Sequence, residues 1–205
     1  YNSNAYCLAG YCQQLGAQTI ISTIAKDTIE AICQSLEDAL AKADLLITTG
    51  GVSVGDYDLV AECLQTIGAD FLYEGVGMKP GKPSLAGIKD DKIILSLSGN
   101  PAAAMTAFLM LGQPLIKKMT GLTNIQHLKI KALMMDDFPK KSIQRRFLRG
   151  QVKIEDNQAK VYLTGSQRNS VLMSMVDCNA LIDIPAGNQG IEKGCLLDVY
   201  LTDNL

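Results

Sequence analysis

The sequence predicts an α/β domain built on a parallel sheet, followed by a small all-β barrel or sandwich. Three observations carry this. Over the first two-thirds, apolar runs of strand length alternate with amphipathic stretches of helical spacing, the pattern of strand–helix–strand units with helices on both faces of a sheet. Two of those runs, residues 45–49 and 93–97, carry little alternation, as strands buried on both faces do. From residue 128 onward helical spacing gives way to short strand candidates separated by turn residues.

Taken in order, residues 4–15 predict a helix, with Asn2 or Ser3 as cap and Gly16 as stop. The β-branched run 19–24 predicts a strand. Asp27 precedes an amphipathic helix over 28–43, with Ile29, Ile32, Leu36 and Leu40 on one face. Strand 45–49 leads into a glycine-rich loop and a helix over 59–67. Strands are expected at 69–74 and 93–97. Asn100 and Pro101 then open a long helix to Met119, asparagine being a good cap and proline favoured at the first helical position. The style changes near Gly121, which places domains at 1–124 and 125–205. In the second, strands are expected at 128–133, 147–154, 160–163, 180–184 and 196–201, with turns at Asp156-Asn157 and at Pro185-Ala186-Gly187.

Composition narrows the function classes. Of 205 residues, 47% are hydrophobic and 20% charged, enough apolar material for a core without staples. A formal charge of −2 gives no general attraction to nucleic acid or membrane. The basic cluster Lys140, Lys141, Arg145, Arg146 and Arg149 is the local exception, and so short a cluster suits a solvated face. The six cysteines form no CxxC pair and no metal-ligand spacing with histidine, and several sit in apolar stretches as small hydrophobes, so a reducing cytoplasm is the expected setting. His127 is the only histidine and falls in a linker, which disfavours a Ser-His-Asp triad or a zinc site. The apolar stretch 102–116 is too short and interrupted to span a bilayer.

Candidate chemistry lies in loops at the carboxyl ends of predicted strands, where open α/β sheets place ligands. The first loop contains Gly50, Gly51, Ser53, Gly55, Asp56 and Asp58. Its glycines let an anion approach backbone N–H groups. The same loop also serves as a tight strand-to-helix turn with Asp58 as cap. The second, Met78 to Ser84, holds Lys79 and Lys82 between prolines and a glycine, two positive charges on a stiff loop suited to phosphate or another oxyanion. The third, Ser96 to Pro101, ends a strand and starts a helix, so Gly99, Asn100 and Pro101 frame an anion site, a well-capped helix, or both. Asp27 sits at another strand-to-helix turn and, with Glu30, also fits a capping box. Lysines, helix N-termini and acids able to hold a hard cation suit phosphate or phosphoanhydride chemistry with a metal. The residues alone do not choose the substrate.

The motifs TTGGVSVGDYD, MKPGKP, LSGNP and the opening NSN, in this order and spacing, resemble the molybdopterin molybdenumtransferases, the family that includes the E domain of gephyrin. The stretch LTGSQRNSVLMSMVDCNALIDIP resembles that family's last domain. The resemblance covers essentially the whole sequence and implies a molybdopterin-binding α/β domain followed by a carboxy-terminal barrel. It implies an enzyme of molybdenum cofactor biosynthesis that takes molybdate and adenylylated molybdopterin, releases AMP, leaves molybdenum on the dithiolene, and is assisted by Mg²⁺. It also implies a homodimer. By the same resemblance Asp27, Asp58, Lys79 and Lys82 are catalytic positions, with Asp58 the candidate Mg²⁺ ligand. Ser3, Asn4, Gly50, Gly51, Ser53, Gly55, Gly99, Asn100, Pro101, Arg149 and Ser170 are substrate-binding positions.

Three positions depart from the family pattern. Ser98 stands where proline is common, Asn2 where aspartate is frequent, and Gln144 where arginine is often found. Family members also carry two further domains and a first α/β strand with a Gly-Asp-Glu motif ahead of this region. The expectation is therefore a carboxy-terminal portion whose remaining part is missing or sits on a companion chain, and a sheet with an exposed edge. Two other functions fit less well. The molybdopterin adenylyltransferases share the α/β fold but lack an appended β segment, and a scaffold would not need the lysine and glycine loops.

Overall fold

The structure, a computed structural model, describes residues 2–52 and 59–202. It forms two compact units, Tyr1–Val76 with Gly81–Thr123, and Gly77–Pro80 with Asn124–Leu205. Residues 78–80 of the predicted lysine loop, with Gly77 before them, thus group with the second unit, and the rest of that loop with the first.

The first unit is a three-layer α/β domain. Its sheet has the order β1-β5-β4-β2, with β1 Leu45–Thr49, β2 Asp70–Glu74, β4 Ser84–Lys89 and β5 Lys92–Leu97. β1 and β5 are parallel, while β4 is antiparallel to both β5 and β2, so the sheet is mixed rather than wholly parallel. The antiparallel half arises because β4 and β5 form a hairpin through Asp90 and Asp91, both at positive φ, a conformation aspartate tolerates better than most residues.

Ile94 and Leu95 are consecutive on β5, so they point to opposite faces. On the Ile94 face lie α2 (Ile29–Leu40) and α3 (Leu59–Thr66), which bury Leu36, Leu40, Val60, Cys63 and Leu64. The Leu95 face carries α1 (Ser3–Gln14) and a helical run from Pro101 to Met119. Tyr11 of α1 meets Phe108 of that run with ring centroids 5.9 Å apart. Ile94, Leu95 and Leu97 are at most 2% exposed, and burying each such side chain contributes about 1.5–3 kcal/mol.

The long helix is segmented into α4 (Pro101–Ala107), a π-turn (Phe108–Gly112) and α5 (Gln113–Met119). Pro114 has no N–H to donate. A Cβ at Gly112 would lie 2.5 Å from the Phe108 ring and 3.3 Å from Leu95, so a glycine is what lets this turn lie against the sheet.

The second unit is a closed five-stranded barrel. β7 (Arg145–Glu155), β8 (Gln158–Leu163), β6 (Lys129–Met134), β10 (Leu196–Leu201) and β9 (Ala180–Ile184) pair in that order, and β9 returns to β7. β6 and β8 are parallel, and the other barrel pairs are antiparallel. The short strand β3 (Met78–Lys79) adds to β7. Alternate residues of β7 point inward, so Leu148 and Val152 join Val161, Ile182 and Val199 in one core. Gly150 sits where β7 passes from β9 to β8, and a Cβ there would lie 2.9 Å from both Ile182 and Val161.

The structure corrects several expectations. Residues 17–26, including the predicted strand 19–24, belong to no strand or helix. The cap of α2 is Thr28, whose Oγ1 accepts the Ala31 N–H at 3.2 Å, so Asp27 is not the capping group. Asn100 makes no side-chain cap to α4; the hydroxyl of Ser98 instead accepts the Asn100 N–H at 3.2 Å. Asn2 does cap α1, accepting from Ala5 at 3.3 Å. No described helix is long and apolar enough to cross a membrane.

Candidate functional site

The carboxyl ends of β1 and β5 bring two of the predicted loops together. Register pairs Thr49 with Leu97, so the chains leaving both strands emerge side by side. The Gly50 N–H donates to the Leu97 carbonyl at 2.9 Å. A Cβ on Gly99 would lie 3.3 Å from the Gly50 Cα. A side chain at Gly99 would press on the Gly50 backbone, whereas a Cβ at Gly50 would find only ordinary contact at 4.0 Å, so the constraint there is conformational. Gly50 and Gly51 have φ of 91° and 67°, conformations that L side chains rarely adopt. A Cβ on Gly51 would also meet Val60 Cγ2 at 2.6 Å.

α1 closes this junction from one side. Asn4 is buried, and its Nδ2 donates to the Gly99 carbonyl at 3.0 Å, while its Oδ1 has no hydrogen-bond partner. Asn100 and Pro101 start α4, whose first N–H groups have no intrahelical acceptor. The structure therefore assembles Asn4, Gly50, Gly51, Gly99, Asn100 and Pro101, all singled out from sequence. Ser3 is exposed on the first turn of α1. Asp27 is exposed and lies on the wall of a cavity of ≈ 980 Å³ that also reaches Asn2, Gly50 and Gly51.

Sequence reasoning included Thr48 and Ser96 in its motifs but assigned them no role; they are register partners at the ends of β1 and β5. Their hydroxyls are buried without hydrogen-bond partners. The available signal was a hydroxyl inside an otherwise apolar strand, since buried polar groups are normally satisfied.

Other predicted residues lie elsewhere. Lys82 is exposed in the first unit, and Lys79 is exposed on β3 of the second. Ser53, Gly55 and Asp58 lie outside the described residues, and with Asp58 the candidate metal ligand. Ser170 is exposed on the loop after β8.

Arg149 is 0% exposed, which corrects the expectation that it faces a substrate. Its guanidinium donates to the Ser174 hydroxyl at 3.0 Å and to the Ser166 and Arg168 carbonyls at 3.2 Å each. The Gln167 amide side chain adds two bonds to the Arg149 backbone, at 2.8 and 3.1 Å. Arg149 is thus a positioning residue for the loop that carries Ser170. Burial lowers its pKa to about 10, and the charge of Arg146 pushes the same way.

Among the described residues no group of three His, Cys, Asp or Glu side chains could hold a metal ion. The described acids on the wall of the cavity that reaches the glycine junction are Asp27 and Asp44. These carboxylates make no protein cage, and Mg²⁺ is commonly held by one or two carboxylates together with substrate phosphates.

Fold and site together define a class: an α/β domain with a close glycine junction at the carboxyl end of its sheet, followed in sequence by a β-barrel. Comparison with known proteins narrows the class. Residues 1–118 match the "Probable molybdopterin binding domain" family, and residues 131–202 match the "MoeA C-terminal region (domain IV)". Molybdopterin molybdenumtransferases of Staphylococcus aureus (strain Mu50) and Staphylococcus epidermidis (strain RP62A) are each 32% identical over 203 residues, 99% of this chain. The chain spans about half the length of these curated relatives, 48% in both cases. The solved structure of a molybdopterin biosynthesis MoeA protein from Pyrococcus horikosii superposes with a TM-score of 0.80 at 26% identity, covering 98% of this chain and 48% of that one. The chain belongs to the molybdopterin-binding family and corresponds to the carboxy-terminal portion of its MoeA-type members.

Proposed function

We propose that this chain supplies the molybdopterin-handling part of a molybdopterin molybdenumtransferase in molybdenum cofactor biosynthesis. The observation that carries the reading is the Gly50–Gly99 junction with Asn4 docked on it, because backbone N–H groups and a helix N-terminus receive an anion without any side chain in the way. The substrates are adenylylated molybdopterin and molybdate. The phosphoanhydride is hydrolysed, AMP leaves, and molybdenum passes to the dithiolene. Gly50, Gly51, Gly99, Asn100 and Pro101 hold the phosphate end, and Lys79 and Lys82 attract the oxyanions. Bound Mg²⁺ would neutralise phosphate charge, with Asp58 as its protein ligand and Asp27 as a second catalytic acid. The working form is a cytoplasmic homodimer that includes polypeptide beyond these 205 residues. The barrel and its match to the MoeA carboxy-terminal region weigh against a molybdopterin adenylyltransferase, which transfers AMP from ATP.

The test is molybdenum insertion in vitro with adenylylated molybdopterin, molybdate and Mg²⁺, using this chain alone and then a longer polypeptide carrying the region that its relatives have. Insertion and AMP release with the longer form are expected. A folded longer form that releases no AMP would move the weight to a scaffold.

A further inference from the structure

Cys33 of α2 and Cys63 of α3 lie side by side on the Ile94 face of the α/β sheet. Their contacts are reciprocal. The Cys63 thiol donates to the Ile29 carbonyl at 3.5 Å, and Ile29 is one helical turn before Cys33 on the same face of α2. The Cys33 thiol in turn donates to the Cys63 carbonyl at 3.8 Å. Each sulfur is thus aimed at the backbone turn that carries the other. The Cys33 thiol is also close enough to act on the ionisation of Cys63.

Burial divides the roles of the two thiols. Cys63 is 0% exposed, whereas Cys33 is half-buried, so a small solute meets Cys33 first. Burial also holds Cys63 protonated, which leaves it a poor first nucleophile. No other cysteine sits on α2 or α3: Cys7 and Cys12 are on α1, and Cys178 and Cys195 are in the second unit. The pair also has a place in the site. Val60 and Cys63 are three residues apart on α3 and pack into one core with Leu36 of α2. Val60 is the residue that a Cβ on Gly51 would strike, so α3 forms the wall behind that glycine.

We infer that Cys33 and Cys63 are a reversible oxidation site, at which a small peroxide makes a disulfide that clips α3 to α2. The Cys33 sulfur attacks one oxygen of the peroxide and the O–O bond breaks. Cys33 becomes a sulfenic acid, and the other oxygen leaves as water with the Cys33 proton. The Cys63 sulfur then attacks the Cys33 sulfur and the S–O bond breaks. Hydroxide departs and takes the Cys63 proton, leaving as a second water. Both sulfurs are oxidised and the peroxide is reduced. A thiol reductant reverses the bond by exchange. Because the resolving thiol is already in place, Cys33 is kept from the irreversible sulfinic level. The clip also holds Val60 behind Gly51 while oxidant is present. None of this depends on the proposed chemistry, since it involves α2 and α3 alone.

The test treats the reduced 205-residue chain with hydrogen peroxide, blocks the remaining thiols and maps the disulfides by peptide mass spectrometry. Cys33→Ser and Cys63→Ala variants are treated alongside, and the exposed Cys195 reports that the oxidant has acted. The expected cross-link is Cys33–Cys63 within one chain, removed by dithiothreitol. Closing a loop of about thirty residues should raise the melting temperature of the bridged form by roughly 5–10 °C. In Cys63→Ala, dimedone should trap Cys33 as the sulfenic acid, and in Cys33→Ser, Cys63 should stay a free thiol. Four results would overturn the inference: Cys195 oxidised while Cys33 and Cys63 both remain thiols; Cys33 passing to sulfinic acid beside a free Cys63; bridges that join other pairs, or separate molecules, in preference; and a bridged form that melts lower, which would mean that the native helices do not accommodate the bond. Should either variant fail to fold, the peptide map of the unchanged chain decides.

Discussion

In the barrel each of the five strands has hydrogen-bonded neighbours on both sides, whereas in the α/β unit β1 and β2 have one each. The two edges of the α/β sheet also differ from one another. β2 has a register irregularity between Phe71 and Tyr73 and alternates exposed with half-buried residues, devices that blunt an edge. β1 is regular, uncharged and faces a cavity. The contrast teaches that a closed sheet satisfies its backbone within itself, while an open one leaves edge groups that have to be blunted, covered or paired.

The comparison can be broken most forcefully in the cores. Leu148→Ala in the barrel and Ile94→Ala in the α/β sheet remove side chains that are 1% and 0% exposed, and each is expected to cost about 2–5 kcal/mol. In urea unfolding followed by hydrogen exchange, each should loosen mainly its own unit. Equal loss of protection in both units from either change would end the distinction. Next in size is Arg149→Met, which strands the acceptors Ser166 O, Arg168 O and Ser174 Oγ. An expected loss of about 1.5–3 kcal/mol should appear together with faster exchange over residues 164–176 and little change in β1 or β5.

The smallest effect sharpens the contrast through pH. Burial raises Cys12 to about 11 and Cys63 to about 12, the latter helped by the Cys33 thiol, from an ordinary 9.0. A thiol whose folded pKa is raised contributes stability that is complete below the unfolded value and is lost as pH rises through the folded one. The α/β unit should therefore weaken between pH 9 and 12. Thermal unfolding across that range should show a shallower decline in the Cys12→Ala, Cys63→Ala double variant, and an unchanged slope would refute the assignment.

The barrel was the more legible half. Its expected strands fall on β6 through β10 with end shifts of a few residues, because alternation and turn residues are local signals. β1, β5 and the helices were equally local. Residues 19–24 have strand composition and no strand, since a strand exists only where a neighbour accepts its hydrogen bonds. β3 and β4 went unseen because prolines, glycines and small residues crowd residues 79–87. In the site, the glycine loops and the Asn100-Pro101 helix start were visible in sequence. Asn4 was singled out there only through the resemblance, and its contact with Gly99, 95 residues away, was not visible at all, because chain-distant contacts are made by topology.

The π-turn at Phe108–Gly112 has a bearing on chain length. It holds one residue more than a regular helical turn between the same flanking segments. Removing a residue within it would draw α4 and α5 toward a single α-helix with Pro101 and Met119 still at its two ends, at a cost of about 3 kcal/mol for Pro114 in its interior. A deletion in β5 has no such remedy, because a shift of one residue exchanges the Ile94 and Leu95 faces. Between β5 and Met119, a change in residue number is expected to disturb the sheet least where Phe108 leans on Gly112.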